Sequence, residues 1–539
     1  MRKHAGDLAK MASTHPVAAP ALGDLAHSGQ FAIGPVFLDR FDTWQRIPLS
    51  ADLLLSAHPT LTIEQRSDGD RALTLIGYLI DPENPDYGNQ EILGELLARF
   101  SSFQALIDAT ASLGGRWLLV AQHGRATYFF HDPLGLRQAF FTVPPETRGE
   151  LWVISQPGLV VERFDLRVDP AAQDFIASPI FARQPEYKWP GTASPFRAVK
   201  HLLPNHYLDA TTATAHRYWP HRPLAPVSLE AALEPLSIKL RRLLEAAAKR
   251  YPLALGVTAG WDSRLVLAAC KEIRREMTFV SLRQHAMAAD HPDLAIPSRM
   301  LQRMNLPHEV VTCNGMSPSF QAMYETSVHM AHPHYGPDVE TILRRFGRRL
   351  VAVTGSGWEV CRGGSRIWMP VLERRPSPQL LSLLEFGGMH PFTVDQLREW
   401  AAWVPRDMNV LPLEIFEWEQ GHGNWLANTQ LEFDIAWRDI FVPFNCRELI
   451  QTMLSLPEQD RNPPDYRVFR RLIAGFDPSL LEEPVNPHKV RSSAQYHVRN
   501  AKFLAKYVLK RAQALMRGQL ATVTTVIESS EELLPFVVG

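Results

Sequence analysis

Apolar and polar positions alternate with one period in the first part of the chain and another in the second. Residues 71–80 (RALTLIGYLI) form an apolar run of strand length, followed by the polar turn DPENPDYGN. In the next run, EILGELLARF, Ile92, Leu93, Leu96, Leu97 and Phe100 recur at helical spacing. Four more apolar or alternating runs follow, RWLLVAQ, ATYFF, RQAFFT and LWVIS, with turn residues at 123–125 and 132–135 between them. Such runs, with little helix between them, predict a meander of antiparallel strands. The Pro-rich stretch 221–227 (HRPLAPV) reads as a linker.

Past the linker the period changes. Ser228 is placed to cap a helix running through Arg250, with Leu229, Leu233, Leu236, Leu240, Leu243 and Leu244 on one face and Pro235 near its start. The pattern then predicts a buried strand at 253–258 (LALGVT), a helix from about Ser263 and a strand at 277–282. A helix at 294–304 and strands at 308–313 and 350–354 follow, the last ending in a Gly-rich loop. Strands alternating with helices imply a parallel sheet covered on both faces. The remainder to about residue 476 reads as mainly helical, and 501–517 as a basic amphipathic helix whose mixed polar face suits docking better than membrane anchoring. The expected division is a flexible arm (1–30), a first domain (31–220), a second (228–495), and a basic helix with tail (496–539).

Composition narrows the classes. The chain has 539 residues, 45% hydrophobic and 21% charged, which is a globular composition of two to four domains. Fifty-six basic against 57 acidic side chains give a net charge of −1, without the positive field of a general nucleic-acid binder. No apolar run is long enough to span a membrane, and no signal peptide is legible at the N-terminus. Cys270, Cys313, Cys361 and Cys446 are far apart and form neither a disulfide framework nor a zinc ribbon, so a cytoplasmic location is expected.

The densest chemistry lies at 253–270, LALGVTAGWDSRLVLAAC, where a strand turns at once into an apolar helix. Thr258, Ala259, Gly260, Trp261, Asp262 and Ser263 form the turn, and amide groups at a helix start stabilise an anion. Hydroxyls at Thr258 and Ser263 add donors, and Asp262 has the oxygen chemistry that holds a divalent ion. A tight turn with no ligand is the alternative, since one Gly among small residues is a weak signal.

T-A-G-W-D-S resembles the S-G-G-x-D-S pyrophosphate loop of the asparagine synthetase family. Four further stretches are similar to that family in the same order: HDPLGLRQAFF (131–141), LLPNHYL with HRYW (202–219), Asp293 followed by His308, and VPFNCRELI with LSLP (442–457). The resemblance implies an α+β, N-terminal-nucleophile (Ntn) hydrolase-like glutaminase domain, followed by an α/β pyrophosphate-loop synthetase domain of the adenine nucleotide α-hydrolase type. It also implies ATP and Mg²⁺ as cofactors. VTGSGWEVCRGG (353–364) resembles the family's G-E-G-A-D-E loop, which makes Glu359 a magnesium ligand beside Asp262.

The departures shape the expected function. The family's glutaminase uses a cysteine at position 2, but Arg2 stands here and no Cys precedes Cys270, so the first domain is expected to be degenerate. This points to branches in which a substrate amine attacks directly, such as β-lactam synthetases and lasso-peptide macrolactam cyclases. Ser356 and Val360 replace the family's acidic residues, which leaves the proton acceptor unassigned. Arg264 and Arg362 suit a phosphate or substrate carboxylate, or equally a structural ion pair. In HKVR (488–491), Lys489 is the candidate for adenylate and oxyanion stabilisation, with His488 and Arg491 as alternates. His329, His332 and His334 read as a polar loop in preference to a metal site.

The expected activity is ATP- and Mg²⁺-dependent amide formation through an acyl-adenylate. The expected partners are a small-molecule or peptide carboxylate and an amine, including a precursor peptide and a partner biosynthetic protein, with no nucleic acid and no membrane span. The alternatives are a non-catalytic scaffold and a pyrophosphate-loop thiolation enzyme.

Overall fold

The computed structural model describes residues 21–143, 146–362, 376–487 and 493–516. Twelve strands of its first part form two antiparallel sheets. They are β1 (Phe31–Gly34), β2 (Gln45–Pro48), β3 (Leu54–Ala57), β4 (Ile63–Asp68), β5 (Arg71–Ile80), β6 (Gly114–His123), β7 (Ala126–His131), β8 (Phe140–Thr142), β9 (Val153–Ile154), β10 (Val199–His201), β11 (His206–Asp209) and β12 (Thr214–Arg217). One sheet has the order β10-β8-β9-β1-β3-β2 and the other β12-β11-β7-β6-β5-β4. The two face each other, with Phe31, Ile33 and Leu55 of the first packed against Ile76, Leu118 and Phe129 of the second. Alternation along β5 and β6 sends the other residues, Leu75, Leu79 and Leu119, to the opposite face. There they join helices α1 (Asn89–Arg99) and α2 (Phe103–Ala109) in the main core.

The second part carries a five-stranded parallel sheet. Its strands are β13 (Leu253–Gly256), β14 (Thr278–Arg283), β15 (Glu309–Thr312), β16 (Val351–Val353) and β17 (Asp439–Phe441), in the order β15-β14-β13-β16-β17. Helices α3 (Leu229–Arg250), α4 (Trp261–Ala269), α5 (Pro292–Arg303) and α6 (Gly336–Phe346) cover it. Ser228 caps α3, accepting from the Ala231 amide, and Pro235 lies within the helix as the sequence indicated. The strand order reverses between β13 and β16, and ligands of open α/β sheets bind in the crevice at such a point.

Several motifs that carried the family resemblance meet where the two parts join. Asn445, fully buried, accepts from the Leu134 amide at 2.9 Å and donates to Asp132 at 2.7 Å and the Gly115 carbonyl at 2.8 Å. Arg447 donates to Asn205 and Tyr218 and lies over the rings of Tyr218, Trp219 and Trp418. Buried Arg116 holds Asp434 through two hydrogen bonds of 2.5 and 2.9 Å, and Arg137 holds Asp439 at 3.0 Å. Burying these charges is sustainable because each is paired and hydrogen-bonded.

Three expectations are corrected. Residues 21–30 are not a loose arm: Leu25 packs with Phe320 and Tyr324, and Gln30 donates to the Ser327 carbonyl at 2.6 Å. β1 to β4 were not read from the sequence, because β1, β2 and β3 have only four residues each and β4 is largely exposed. β17 was absorbed into a helical reading, since only three residues pair with β16. The C-terminal helix begins at 493, earlier than expected, and docks through Phe503, Leu504 and Tyr507 on the helix Pro378–Phe386. No helix among the described residues is long and apolar enough to cross a membrane.

Candidate functional site

The loops leaving β13 and β16 approach each other backbone to backbone. A Cβ on Gly355 would fall 2.6 Å from the Ser263 nitrogen, so only glycine permits this contact. Gly357, at φ +96°, then turns the second loop so that Glu359 points back toward the first. The result brings together the two carboxylates the sequence singled out. Arg362 Nη2 donates to Asp262 Oδ2 at 2.6 Å and to Glu359 Oε1 at 2.8 Å.

Their surroundings drive the two acids apart. Burial, chiefly, pushes the Asp262 carboxyl up; Arg362 works against the rise and Glu359 adds to it. Burial also disfavours charge on Glu359, but the His422 hydrogen bond and the Arg362 charge outweigh it and hold this carboxyl below its usual range. His422 Nε2 lies 3.2 Å from Glu359 Oε2, and the Gly357 amide donates to the same oxygen at 3.0 Å. His422 itself is buried, yet Glu359 raises its basicity despite the cost of burial.

The first loop is closed by its own hydroxyls. The Thr258 amide donates to Ser263 Oγ at 3.1 Å, and the Gly260 amide to Thr258 Oγ1 at 3.2 Å. The Ala259 amide donates to the carboxylate of Asp293 at 2.9 Å, so this turn already holds an oxyanion supplied by the chain. Thr258, Asp262, Ser263 and Asp293 line a cavity of about 550 Å³ at the carboxyl ends of β13, β14 and β16, with Ser356 and Glu359 on the facing loop. That volume lies in the usual range for small-molecule sites.

Not every expected residue faces this cavity. Trp261 is buried against Tyr466 and Phe469, with Arg470 over its ring, so its side chain belongs to the core. Ala259 is buried as well, and Gly260 caps α4. The anion-pairing role considered for Arg264 is corrected to a structural one. Fully buried, it donates to the carbonyls of Leu480, Glu483 and Pro484 at 2.6 to 2.9 Å. Together with the bond from the Asn486 amide to the Ala259 carbonyl at 3.0 Å, this ties the segment before residue 488 to the loop. Lys489, His488 and Arg491 lie outside the described residues.

Asp262 Oδ1 is buried without a hydrogen-bond partner. An orphaned carboxylate oxygen beside a second carboxylate fits a hard cation that takes its remaining ligands from phosphates and water. No group of three or more His, Cys, Asp or Glu able to hold a metal occurs among the described residues, and His332 instead bonds Glu432 at 2.5 Å. The sequence reading missed His422, Asp293 as the partner of the loop amide, and the bridging position of Arg362. A histidine between Gly421 and Gly423 was the only available signal for the first.

No family model matches the sequence, and no curated protein matches it. Among solved structures, a glutamine phosphoribosylpyrophosphate amidotransferase from B. subtilis complexed with ADP and GMP aligns at TM-score 0.22 and 11% identity, over 62% of this chain and 70% of that one. A U34-tRNA thiolase from Methanococcus maripaludis with its 4Fe-4S cluster aligns at TM-score 0.22 and 12% identity, over 58% and 81%. A structure described as the allosteric regulatory enzyme of purine biosynthesis aligns at TM-score 0.22 and 13% identity, over 67% and 73%.

Proposed function

We propose that the chain is an ATP-dependent, AMP-forming ligase that joins a carboxylate to an amine. The observation that carries this reading is the meeting of Asp262 and Glu359 at the switch point of the parallel sheet, with Asp262 Oδ1 unpartnered beside a cavity of about 550 Å³. In the proposed reaction a carboxylate oxygen attacks the α-phosphorus of ATP and the bond to the bridging oxygen breaks, giving an acyl-adenylate and pyrophosphate. The amine nitrogen then attacks the acyl carbon, loses a proton, and AMP leaves.

The chain's own contribution is alignment and charge. Thr258 and Ser263 shape the loop, and incoming phosphate takes over the amide that Asp293 now occupies. Asp262, with Glu359, would hold Mg²⁺, which supplies charge neutralisation at the phosphates when bound. His422 and Arg362 keep Glu359 ionised and pointed at the first loop. Lys489 is proposed for the oxyanion, three residues beyond Asn486. All four cysteines are buried, and burial pushes the Cys270 and Cys313 thiols up to about 12 and that of Cys446 to about 11. This supports a ligase without glutaminase or sulfur-carrier chemistry.

A second reading rests on Arg362. Its guanidinium already pairs with both carboxylates, as a non-catalytic scaffold would allow. Equilibrium binding of ATP with and without Mg²⁺ separates the two. Magnesium-dependent binding, followed by pyrophosphate release with a panel of carboxylates and hydroxylamine as amine, supports the ligase; no binding under either condition supports the scaffold.

A further inference from the structure

Gln430 sits on the helix Ala427–Phe433 and lines the same cavity. It is 3% exposed, and neither its Oε1 nor its Nε2 has a hydrogen-bond partner. Buried carboxamides are almost always satisfied, so one left open on both atoms marks a place that a ligand completes. Around it the wall is apolar and aromatic, with Trp425, Phe433 and Trp437. Another wall is bare backbone: Gly256 is exposed at the end of β13, with nothing within 4 Å of where a Cβ would stand. Such a cavity suits a flat ring, and the open Gln430 carboxamide presents an acceptor and a donor side by side.

We propose that Gln430 is the specificity-determining residue for adenine, accepting from the 6-amino group through Oε1 and donating to the adjacent ring nitrogen through Nε2. A carboxamide matches that edge bidentately, as it does in the recognition of adenine within duplex DNA. An apolar acyl group at this place would leave both amide atoms unpaired, which disfavours it as the occupant. The cavity also reaches Thr258 and Ser263, so a nucleotide with its base at Gln430 can present its phosphates to the loop. The inference rests on the nucleotide reading above and adds the residue that selects the base.

The test is equilibrium binding of ATP and of purine riboside 5′-triphosphate, which lacks only the 6-amino group. Full-length wild type is expected to bind ATP about tenfold more tightly than the analogue. Gln430→Met, which keeps the volume and removes both hydrogen bonds, is expected to bind the two within about twofold of each other. Equal affinities in the wild type, or an undiminished preference in the methionine variant, overturn the assignment while leaving the nucleotide reading intact. Failure of the wild type to bind either triphosphate overturns the nucleotide reading, and this inference with it. The wild-type comparison stands even if the variant does not fold.

Discussion

The Asn445 carboxamide donates to the Asp132 carboxylate at 2.7 Å across the junction between the antiparallel and parallel sheets. Asp132 also accepts from the backbone amides of Trp117, Leu136 and Arg137 at 2.8 to 3.2 Å, so a single buried carboxylate organises both the turn after β7 and its contact with the second part.

Asn445→Ala is therefore expected to destabilise the whole protein by about 3 kcal/mol, because it leaves the Leu134 amide and the Gly115 carbonyl without their partner. Denaturant unfolding monitored by intrinsic fluorescence checks this. A change under 1 kcal/mol would mean that the junction tolerates the loss through water.

Asp262→Asn keeps the size of the side chain and removes a buried charge. Pyrophosphate release is expected to fall at least about a hundredfold, or ~3 kcal/mol of transition-state stabilisation, with the melting temperature nearly unchanged. Turnover close to wild type would reduce Asp262 to a turn residue.

Glu359→Gln leaves the first loop intact and weakens the opposite side of the site. The Mg²⁺ concentration for half-maximal turnover is expected to rise, with partial rescue by excess Mg²⁺ or by Mn²⁺. An unaltered metal titration would separate Glu359 from cation binding.

Arg264→Met tests the tie between the loop and the segment before residue 488. Loss of three hydrogen bonds to carbonyls of that segment and a fourth to the Ala259 carbonyl is expected to raise amide hydrogen exchange at 480–486 at least about tenfold, and to weaken ATP binding without abolishing folding. Unchanged exchange there would show that Arg299 and Arg303, both paired with Glu483, hold the segment by themselves.

Acid should loosen the antiparallel part of the chain. Burial holds the His201 imidazole down at about 3 and that of His206 at about 4, below the ordinary 6.5. The unfolded chain thus binds protons that the folded chain does not, and stability falls as pH drops from about 6.5 toward 4. At pH 5 each ring contributes about 2 kcal/mol of that loss. His201→Gln should flatten the pH dependence of the unfolding midpoint between pH 7 and 5; an undiminished slope would place the proton uptake elsewhere.

Much of this architecture was legible because long elements announce their period. The ten-residue runs of β5 and the Ser228-capped α3 were readable in this way. What stayed hidden depends on encounters between distant segments. β17 is three residues long and gains its identity only by pairing with β16. His422 and Gln430 lie on a continuous helical run whose 417–426 stretch is π-helical, so the ordinary helical period does not predict which side chains face the loops. Arg362 was visible as a cation, but its two partners come from loops a hundred residues apart in the chain.

The edge strand β17 has a consequence for how the chain is made. On its free side it is met by the antiparallel part of the chain, with Tyr78 donating to the Ile440 carbonyl at 2.8 Å and Arg116 and Arg137 holding Asp439. An uncovered strand edge invites pairing with other chains. Synthesis proceeds from the N-terminus, so the partner of this edge has left the ribosome more than two hundred residues before the edge itself. The antiparallel part thus covers the last strand of the parallel sheet, the one that would otherwise be left with an open edge.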